Sequence, residues 1–388
     1  KEFEEEYGFF VNPKAKICQL SAGEQQRVEI IKALFRGTDV LILDEPTSVL
    51  TPQEADKLFL ILNKMKSEGK AIVFISHKLR EIMEYTDSVT VLRQGKLVGC
   101  KKIKDITQDD LVTTMTGEKT IAQVTKENVI LDESILKVSS ISVLDDRNCE
   151  SVKNMSFEIK KNEIFGIAGI AGNGQRELIE AVTGMRKVSS GKIFIYNEED
   201  QNSTPKHVYN KGVSHIPEER IRFGIASGLK LFENTPIRNY EKKPYSKQSV
   251  MNYKEIKSKA QTIIEAFHVK TESIDTEIQN LSGGNMQKLI IGREMVDSPE
   301  LIVASHPTYG LDISSTKYIQ QELLTKSKEG AGILLISEDL DELMTLSDRI
   351  AVVFRGKLMG ILNREDATIH KIGLLMAGEE LPKDDKSG

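Results

Sequence analysis

Leu20-Ser21-Ala22-Gly23 recurs as Leu281-Ser282-Gly283-Gly284, an interval of 261 residues. At the same interval Pro46-Thr47 recurs as Pro307-Thr308 and His77 aligns with Glu338. Arg93 to Gly99 (RQGKLVG) likewise returns as Phe354 to Gly360 (FRGKLMG), and Met115 to Glu118 (MTGE) as Met376 to Glu379 (MAGE). Blocks in one gapless register mean two homologous domains in tandem, each building its own core. The register also shows what the first copy lacks. Residue 1 corresponds to position 262, so nothing stands opposite Leu136 through Gln261, and the counterpart of Gly172 would fall nearly a hundred residues before Lys1. The expected layout is the C-terminal part of a first domain over 1–118, a linker over 119–134, a second domain over 135–378 and a polar tail over 379–388. The chain therefore reads as the C-terminal part of a longer two-domain protein.

A chain of 388 residues with 39% hydrophobic and 29% charged residues has the composition of a globular protein. Its net charge of −5 supplies no basic field that would favour nucleic acid. Cys18, Cys100 and Cys149 are odd in number, far apart and without metal-ligand spacing, which fits a reducing compartment and a filler role. No apolar run approaches the ~20 residues that span a bilayer, so a membrane role would have to come through partners.

The chemistry concentrates at Asp39 to Thr47 (DVLILDEPT), an apolar run ending in two carboxylates and a proline. Val40 to Leu43 read as a buried parallel strand, with Asp44 and Glu45 at its carboxyl end, where open α/β sheets place ligands. Phosphoryl transfer needs one carboxylate near Mg²⁺ and a second acceptor for the attacking water, and Asp44 and Glu45 supply both. A capping or turn role is the bland alternative for such a pair. Upstream, Ser21 and Glu24 form a capping box ahead of Val28, Ile31 and Leu34 at helical spacing. The same small-residue turn at a helix N-terminus, Ser21 to Gly23, leaves N–H groups and a positive dipole end that suit a terminal phosphate. Downstream, Ala71 to Ile75 form another apolar strand, followed by Ser76 and His77. Lys1 to Tyr7 (KEFEEEY) reads as a solvated helix face.

In the second copy, Ile164 to Ala168 lead into Gly169-Ile170-Ala171-Gly172-Asn173-Gly174-Gln175-Arg176. Set against the phosphate-loop pattern G-x-x-x-x-G-K-[ST], Gly169 and Gly174 hold their places, Gln175 replaces the Lys and Arg176 the hydroxyl residue. Such a loop can still cradle phosphate through backbone N–H groups, and Arg176 can pair with phosphate from a suitable rotamer. A glycine turn that binds nothing is the alternative.

Signature turn, carboxylate pair and histidine, in this order and spacing, resemble the nucleotide-binding domains of the ABC ATPases. The resemblance covers the whole chain. It implies an α/β fold of tandem P-loop NTPase domains with helical subdomains, the first domain incomplete, and a helical subdomain over about Pro217 to Gln279. It also implies ATP and Mg²⁺ as ligands, held head to tail between the Walker motifs of one domain and the signature of the other. One site would then combine Asp44 on the metal and Glu45 and His77 in catalysis with Ser282, Gly283, Gly284, Asn285 and Asp312. The other would combine Gly169, Gly172, Gly174, Gln175, Arg176, Ser305, His306 and Glu338 with Ser21-Ala22-Gly23-Glu24 and Thr51. Every hydrolytic position of the second domain is substituted while its signature is intact, so the degeneracy is sorted by site. One hydrolytic and one regulatory site are expected.

GEQQRVEI (Gly23 to Ile30), AGNGQ (Ala171 to Gln175), IPEER (Ile216 to Arg220) and ISEDL (Ile336 to Leu340) are closest to the fused ATP-binding subunits of nucleoside importers, with the monosaccharide branch as the alternative. Arg176 departs from that branch, which tends to carry a small hydroxyl residue there. The resemblance implies a peripheral subunit on the cytoplasmic face of the membrane, with no transmembrane segment of its own. Its partners would be two membrane permease subunits and an extracytoplasmic substrate-binding lipoprotein, met near Ile216 to Asn234. A soluble ABC protein of translation or repair would show two intact sites, a basic linker or zinc ligands, none of which is visible. A catalytically inert fragment is the third reading, because the first Walker A is absent from the chain.

Overall fold

The computed structural model describes residues 22–35, 38–47, 50, 52–76, 78–93, 95–116, 130–248 and 250–380. The helix expected over Lys1 to Tyr7, Ser21, Thr51, His77, Cys18, most of the linker and most of the tail lie outside these residues. The chain divides into two units, Lys1–Ile121 with Thr368–Gly388, and Ala122–Ala367.

In the first unit, α1 (Ala22–Phe35) precedes β1 (Val40–Asp44), α2 (Pro52–Ser67), β2 (Ala71–Ile75) and α3 (Leu79–Tyr85). A hairpin of β3 (Ser88–Arg93) and β4 (Lys96–Lys102) and then α4 (Gln108–Thr116) follow. Pro52 opens α2, Glu54 sits in its first turn and Lys64 and Lys66 in its last, all matched to the helix dipole. Its inner face, Leu58, Phe59, Leu62 and Met65, packs on Leu41 and Leu43 of β1 and Ile30 of α1. Phe59 stacks on Tyr85 at 3.9 Å between centroids.

β1 and β2 pair in parallel from Val40↔Ala71 to Asp44↔Ile75. The expectation of a fully buried β1 is corrected here: Leu41 and Leu43 are buried, but Val40 is 54% and Ile42 66% exposed. Alternation puts successive side chains on opposite faces, and among the described residues helices cover only one of them. Val73 and Ile75 of β2 join the open face.

The second unit begins with an antiparallel sheet in the order β6-β5-β8-β9, built from β5 (Ser134–Leu144), β6 (Glu150–Lys160), β8 (Val188–Ile195) and β9 (Glu198–Glu199). Between these strands run β7 (Ile164–Ala168) and α5 (Gln175–Val182). Then follow α6 (Pro205–Asn210), β10 (Val213–Ile216), α7 (Leu231–Asn234), the short hairpin β11 (Ser246–Lys247) and β12 (Val250–Met251), and α8 (Tyr253–Ala266). The region expected to be a helical subdomain is thus helical at α7 and α8 but also carries that hairpin and a π-turn over Arg220–Gly224. The chain continues with α9 (Gly283–Met295), β13 (Leu301–Ser305), α10 (Ile313–Lys328), β14 (Gly332–Ile336), α11 (Leu340–Leu346), β15 (Arg349–Phe354) and β16 (Lys357–Asn363). The last helix, α12 (Ile369–Met376), clusters with the first unit and lies against α2.

The main sheet of the second unit has the order β10-β13-β14-β7-β15-β16. Its central strands β7, β13 and β14 are buried at every residue, as expected of parallel strands covered on both faces. Gly166 of β7 is required by packing, because a Cβ there would stand 2.4 Å from Ser347 Oγ below α11. The carboxyl ends of β7, β13 and β14 therefore lie side by side, and the candidate site residues sit on them.

The two units repeat in structural detail. β13 pairs β14 from Leu301↔Gly332 to Ser305↔Ile336, the register of β1 and β2 moved by 261. The hairpins β3–β4 and β15–β16 each slip register at the same repeat position, between Val91 and Leu92 and between Val352 and Val353.

Candidate functional site

In the first unit, Asp44 closes β1 with an exposed carboxylate, and Glu45 follows half-buried in the left-handed region, φ 43°. The Glu45 N–H donates to Ile75 O at 2.9 Å, which locks the turn onto the end of β2. A non-glycine residue in this region costs about 1 kcal/mol and persists where its surroundings over-determine it. The next residues are the anchor: Pro46 and Thr47 are buried, and Thr47 Oγ1 donates to Glu81 Oε1 at 2.7 Å. Glu81 lies in the first turn of α3 and its second oxygen accepts from Ser76 Oγ at 3.0 Å. Ser76 Oγ in turn accepts from the Lys78 N–H at 3.0 Å, and Lys78 Nζ reaches Thr47 O at 3.3 Å and Glu81 Oε1 at 3.5 Å. The segment that carries Asp44 and Glu45 is thereby joined to the segment that brackets His77. Sequence reasoning missed Glu81, which reads as an acidic residue at a helix start; the signal available was that Thr47 and Glu81 recur, at the repeat interval, as Thr308 and Glu342.

Gly23 falls in the first turn of α1, next to Ser21 outside the described residues. Asp44 and Glu45 at a strand end are a donor set that fits a Mg²⁺-bound polyphosphate, because both offer hard carboxylate oxygens.

The second unit repeats the frame with different groups. His306 takes the place of Glu45 at φ 45° and its N–H donates to Ile336 O at 2.8 Å. Burial holds the His306 imidazole below its ordinary value, against the opposing pull of Glu218. Ser305, in the place of Asp44, is 2% exposed. Thr308 Oγ1 donates to Glu342 Oε1 at 2.7 Å, but Glu342 Oε2 is buried without a hydrogen-bond partner. Burial, and then the neighbouring Asp339 in the place of Lys78, push the Glu342 carboxyl up to about 7.

The glycine loop of this unit is closed on itself. Ile170 O accepts from Asn173 N at 3.3 Å, Asn173 Nδ2 at 3.0 Å and Gln175 Nε2 at 3.1 Å. Gln175 thus folds back into the loop that a lysine would extend from. Gly169 makes room for it, since a Cβ there would stand 2.5 Å from Gln175 Nε2. Gly174 takes φ 101° and passes within 2.4 Å, measured from its would-be Cβ, of Ser151 O, whereas Gly172 (φ 86°) faces open space. Arg176, expected as a phosphate partner, is engaged elsewhere: its Nε donates to Glu180 Oε1 at 2.9 Å, and Asp146 lies 3.8 Å from its Nη2. Arg186 completes the cluster through both Glu180 and Asp146 at 2.6 Å. Ser305, Gln175 and Arg176 do not fit a Mg²⁺ site, because none of the three carries a carboxylate and the single neutral hydroxyl of Ser305 is a poor substitute for one.

The signature of the second unit is well built. Ser282 caps α9, its Oγ accepting from Asn285 N at 3.4 Å and Asn285 Nδ2 at 2.9 Å, and Asn285 Oδ1 takes the Lys270 N–H at 2.9 Å. Arg220 Nη1 donates to Gly283 O at 3.0 Å. Gly284 approaches Leu311, ahead of Asp312. Asp312 caps α10 through Ser315 N at 2.9 Å and Ser315 Oγ at 2.8 Å; burial raises its carboxyl but these bonds and Lys288 outweigh it, so it titrates low.

Beside β10 lies a cavity of about 330 Å³ lined by Met185, Tyr209, His215, Ile237, Arg238 and Tyr240, among others. Nearby on the π-turn, Ile221 is 63% and Phe223 42% exposed. Among the described residues no helix is long and apolar enough to cross a membrane, and no cluster of three or more His, Cys, Asp or Glu forms a metal cage. Cys100 and Cys149 are exposed and unpaired.

The sequence profile of the ABC transporter family matches residues 2–48 and 152–309. The chain is 42% identical over 378 residues to a guanosine import ATP-binding protein of Bacillus subtilis, spanning 97% of this chain and 74% of that protein. It is 41% identical over 380 residues to a glucose import ATP-binding protein of Haloferax volcanii, spanning 97% and 69%. A nucleotide-free ATP-binding cassette from an ABC transporter superposes with a TM-score of 0.52 at 23% identity, covering 60% of this chain and 93% of that one, which shows the fold.

Proposed function

The chain belongs to the ABC transporter family, as an ATP-binding protein of the sugar and nucleoside import type, and on that premise we propose that it couples ATP hydrolysis to nucleoside uptake using one hydrolytic carboxylate pair. The observation that carries the assignment of the chemistry is the contrast at one repeat position: Asp44 and Glu45 in the first unit, Ser305 and His306 in the second, on the same turn at φ 43° and 45°. In this reading the first unit carries the hydrolytic groups, while Ser282, Gly283, Gly284, Asn285 and Asp312 keep the second unit's signature able to bind nucleotide.

Mg²⁺, when bound, neutralises developing phosphate charge. Asp44 would hold it, Glu45 would accept the proton of the attacking water, and His77 is assigned to catalysis with them. The loop from Gly169 through Gly172 and Gly174 to Arg176 holds nucleotide weakly, because Gln175 must first release Ile170 O.

The nucleoside reading rests on the guanosine import relative and on the GEQQRVEI, AGNGQ and ISEDL blocks; the glucose import relative favours a monosaccharide as the second reading. Two permease subunits and an extracytoplasmic lipoprotein complete the importer at the cytoplasmic face. Ile221 and Phe223, both exposed within Ile216 to Asn234, offer the permeases an apolar contact.

The test is uptake and ATP hydrolysis by the assembled importer. Glu45→Gln should retain ATP binding and lose turnover, and His306→Gln should change little. Normal turnover in Glu45→Gln removes it from the chemistry, and loss in His306→Gln makes the second unit hydrolytic.

A further inference from the structure

Glu81 accepts from two segments of the first unit at once, and both segments flank groups assigned to hydrolysis. Its Oε1 takes the hydroxyl of Thr47, two residues after Glu45, at 2.7 Å, and its Oε2 takes the hydroxyl of Ser76, the residue before His77, at 3.0 Å. Glu81 is only 9% exposed and Thr47 2%, so these bonds face little competition from water. Lys78 closes the ring by reaching Thr47 O at 3.3 Å and Glu81 Oε1 at 3.5 Å. Charge-assisted bonds to an ionised carboxylate are about twice as strong as neutral ones, which suits a fixed strut rather than a loose contact.

The repeat supplies a comparison within one chain. Thr308 and Glu342 make the first bond again, at 2.7 Å. The second half is weaker: Glu342 Oε2 accepts no well-formed hydrogen bond, although Ser337, in the place of Ser76, is near enough to favour the charged carboxylate, and Asp339 has replaced the closing lysine. The bond common to both units belongs to the scaffold. The closing lysine occurs only in the unit that keeps the carboxylate pair, and there the serine bond is well formed at 3.0 Å.

We propose that Glu81 is a positioning residue for hydrolysis, holding the turn of Glu45 in fixed register with Ser76, the residue before His77, through Thr47 and Ser76. The proposal rests on the assignment of hydrolysis to the first unit. It requires that loosening the strut slow the chemical step while leaving nucleotide binding intact, because the groups that bind nucleotide are not its partners.

The experiment compares Glu81→Gln, Ser76→Ala, Glu342→Gln and Glu45→Gln in the assembled importer, reading kcat, KM, ATP affinity by equilibrium binding, and melting temperature. Ser76→Ala removes the second bond of Glu81 without touching a charge. The expected result is a fall in kcat of about ten-fold or more for Glu81→Gln and Ser76→Ala, with ATP affinity within about two-fold. Glu342→Gln, the matched change in the second unit, should leave kcat within about two-fold. If Glu81→Gln and Ser76→Ala keep normal kcat while Glu45→Gln abolishes turnover, the strut is structural and the proposal is overturned alone. If Glu45→Gln also keeps normal turnover, the assignment of hydrolysis to the first unit is what has failed. A kcat loss in Glu342→Gln equal to that in Glu81→Gln would equally overturn it, since a scaffold effect would then account for both.

Discussion

Glu45 and His306 stand 261 residues apart in the chain and share one backbone state, φ 43° and 45°, with each N–H donating to the last residue of the neighbouring strand at 2.9 and 2.8 Å. A carboxylate and an imidazole have different local preferences, so the side chain does not choose this conformation. The parallel pairing of β1 with β2 and of β13 with β14 does, because the chain must leave the sheet at that point to enter the next turn. The turn is conserved within the molecule while the chemistry placed on it is not.

Glu342 makes the second unit sensitive to pH. Its carboxyl is pushed from 4.5 up to about 7, first by burial and then by Asp339, so the folded protein holds this proton more tightly than the unfolded chain. The associated stability is complete below pH 4.5 and is lost as pH rises through about 7, a change on the order of 3 kcal/mol. Glu342→Gln should remove that slope between pH 5 and 8 and be at least as stable as the parent at pH 8, measured by urea unfolding followed in the second unit. An unchanged slope would place the pH dependence elsewhere.

His215 acts in the opposite direction. Burial, with Arg238 and Arg293 close by, lowers its imidazole to about 3, so the unfolded chain takes up the proton first. Stability is then full above pH 6.5 and declines as pH falls toward 3, by about 2 kcal/mol at pH 5. His215→Gln should flatten the acid limb of the melting profile. A limb that keeps its steepness would mean that His215 does not stay neutral.

Two glycines of the loop after β7 should respond differently to alanine. Gly174 combines φ 101° with a would-be Cβ 2.4 Å from Ser151 O, so Gly174→Ala must move backbone and should cost about 2 kcal/mol or more. Gly172 has φ 86° but nothing within 4 Å, and Gly172→Ala should cost only about 1 kcal/mol. Equal losses in thermal melting would show that packing against Ser151 is not what holds the loop.

The open face of β1 and β2 is an association hazard. Val40, Ile42, Val73 and Ile75 are each 48% exposed or more and lie on adjacent parallel strands. Ile42→Thr with Val73→Thr should leave the melting temperature within a few degrees and lower the light scattering of concentrated solutions. Unaltered scattering would assign association to another surface.

The 261-residue interval read from the sequence predicts the paired strand registers and the matching register slips at Val91 and Val352. The end of β1 was legible as a carboxylate site because an apolar run fixes a strand and Asp44-Glu45 ends it. What an apolar run cannot say is how many of its faces are covered, and Ile42 proved exposed. Arg176 was legible as a substitution but not as a member of a cluster with Asp146, Glu180 and Arg186, whose members come together only when α5 packs beside β5. Glu81 was hidden for a similar reason: a glutamate one turn into a helix looks solvated until Thr47, 34 residues away, is seen beneath it.

Gly174 keeps its place because of Ser151, and Gly169 because of Gln175, so neither glycine of the second loop needs a phosphate to explain it. Steric fit against Ser151 and Gln175 is enough to keep this glycine outline whether or not the loop holds a phosphate. Glycine spacing here therefore reports on packing, and it is Gln175 and Arg176, just past the last glycine, that report on chemistry.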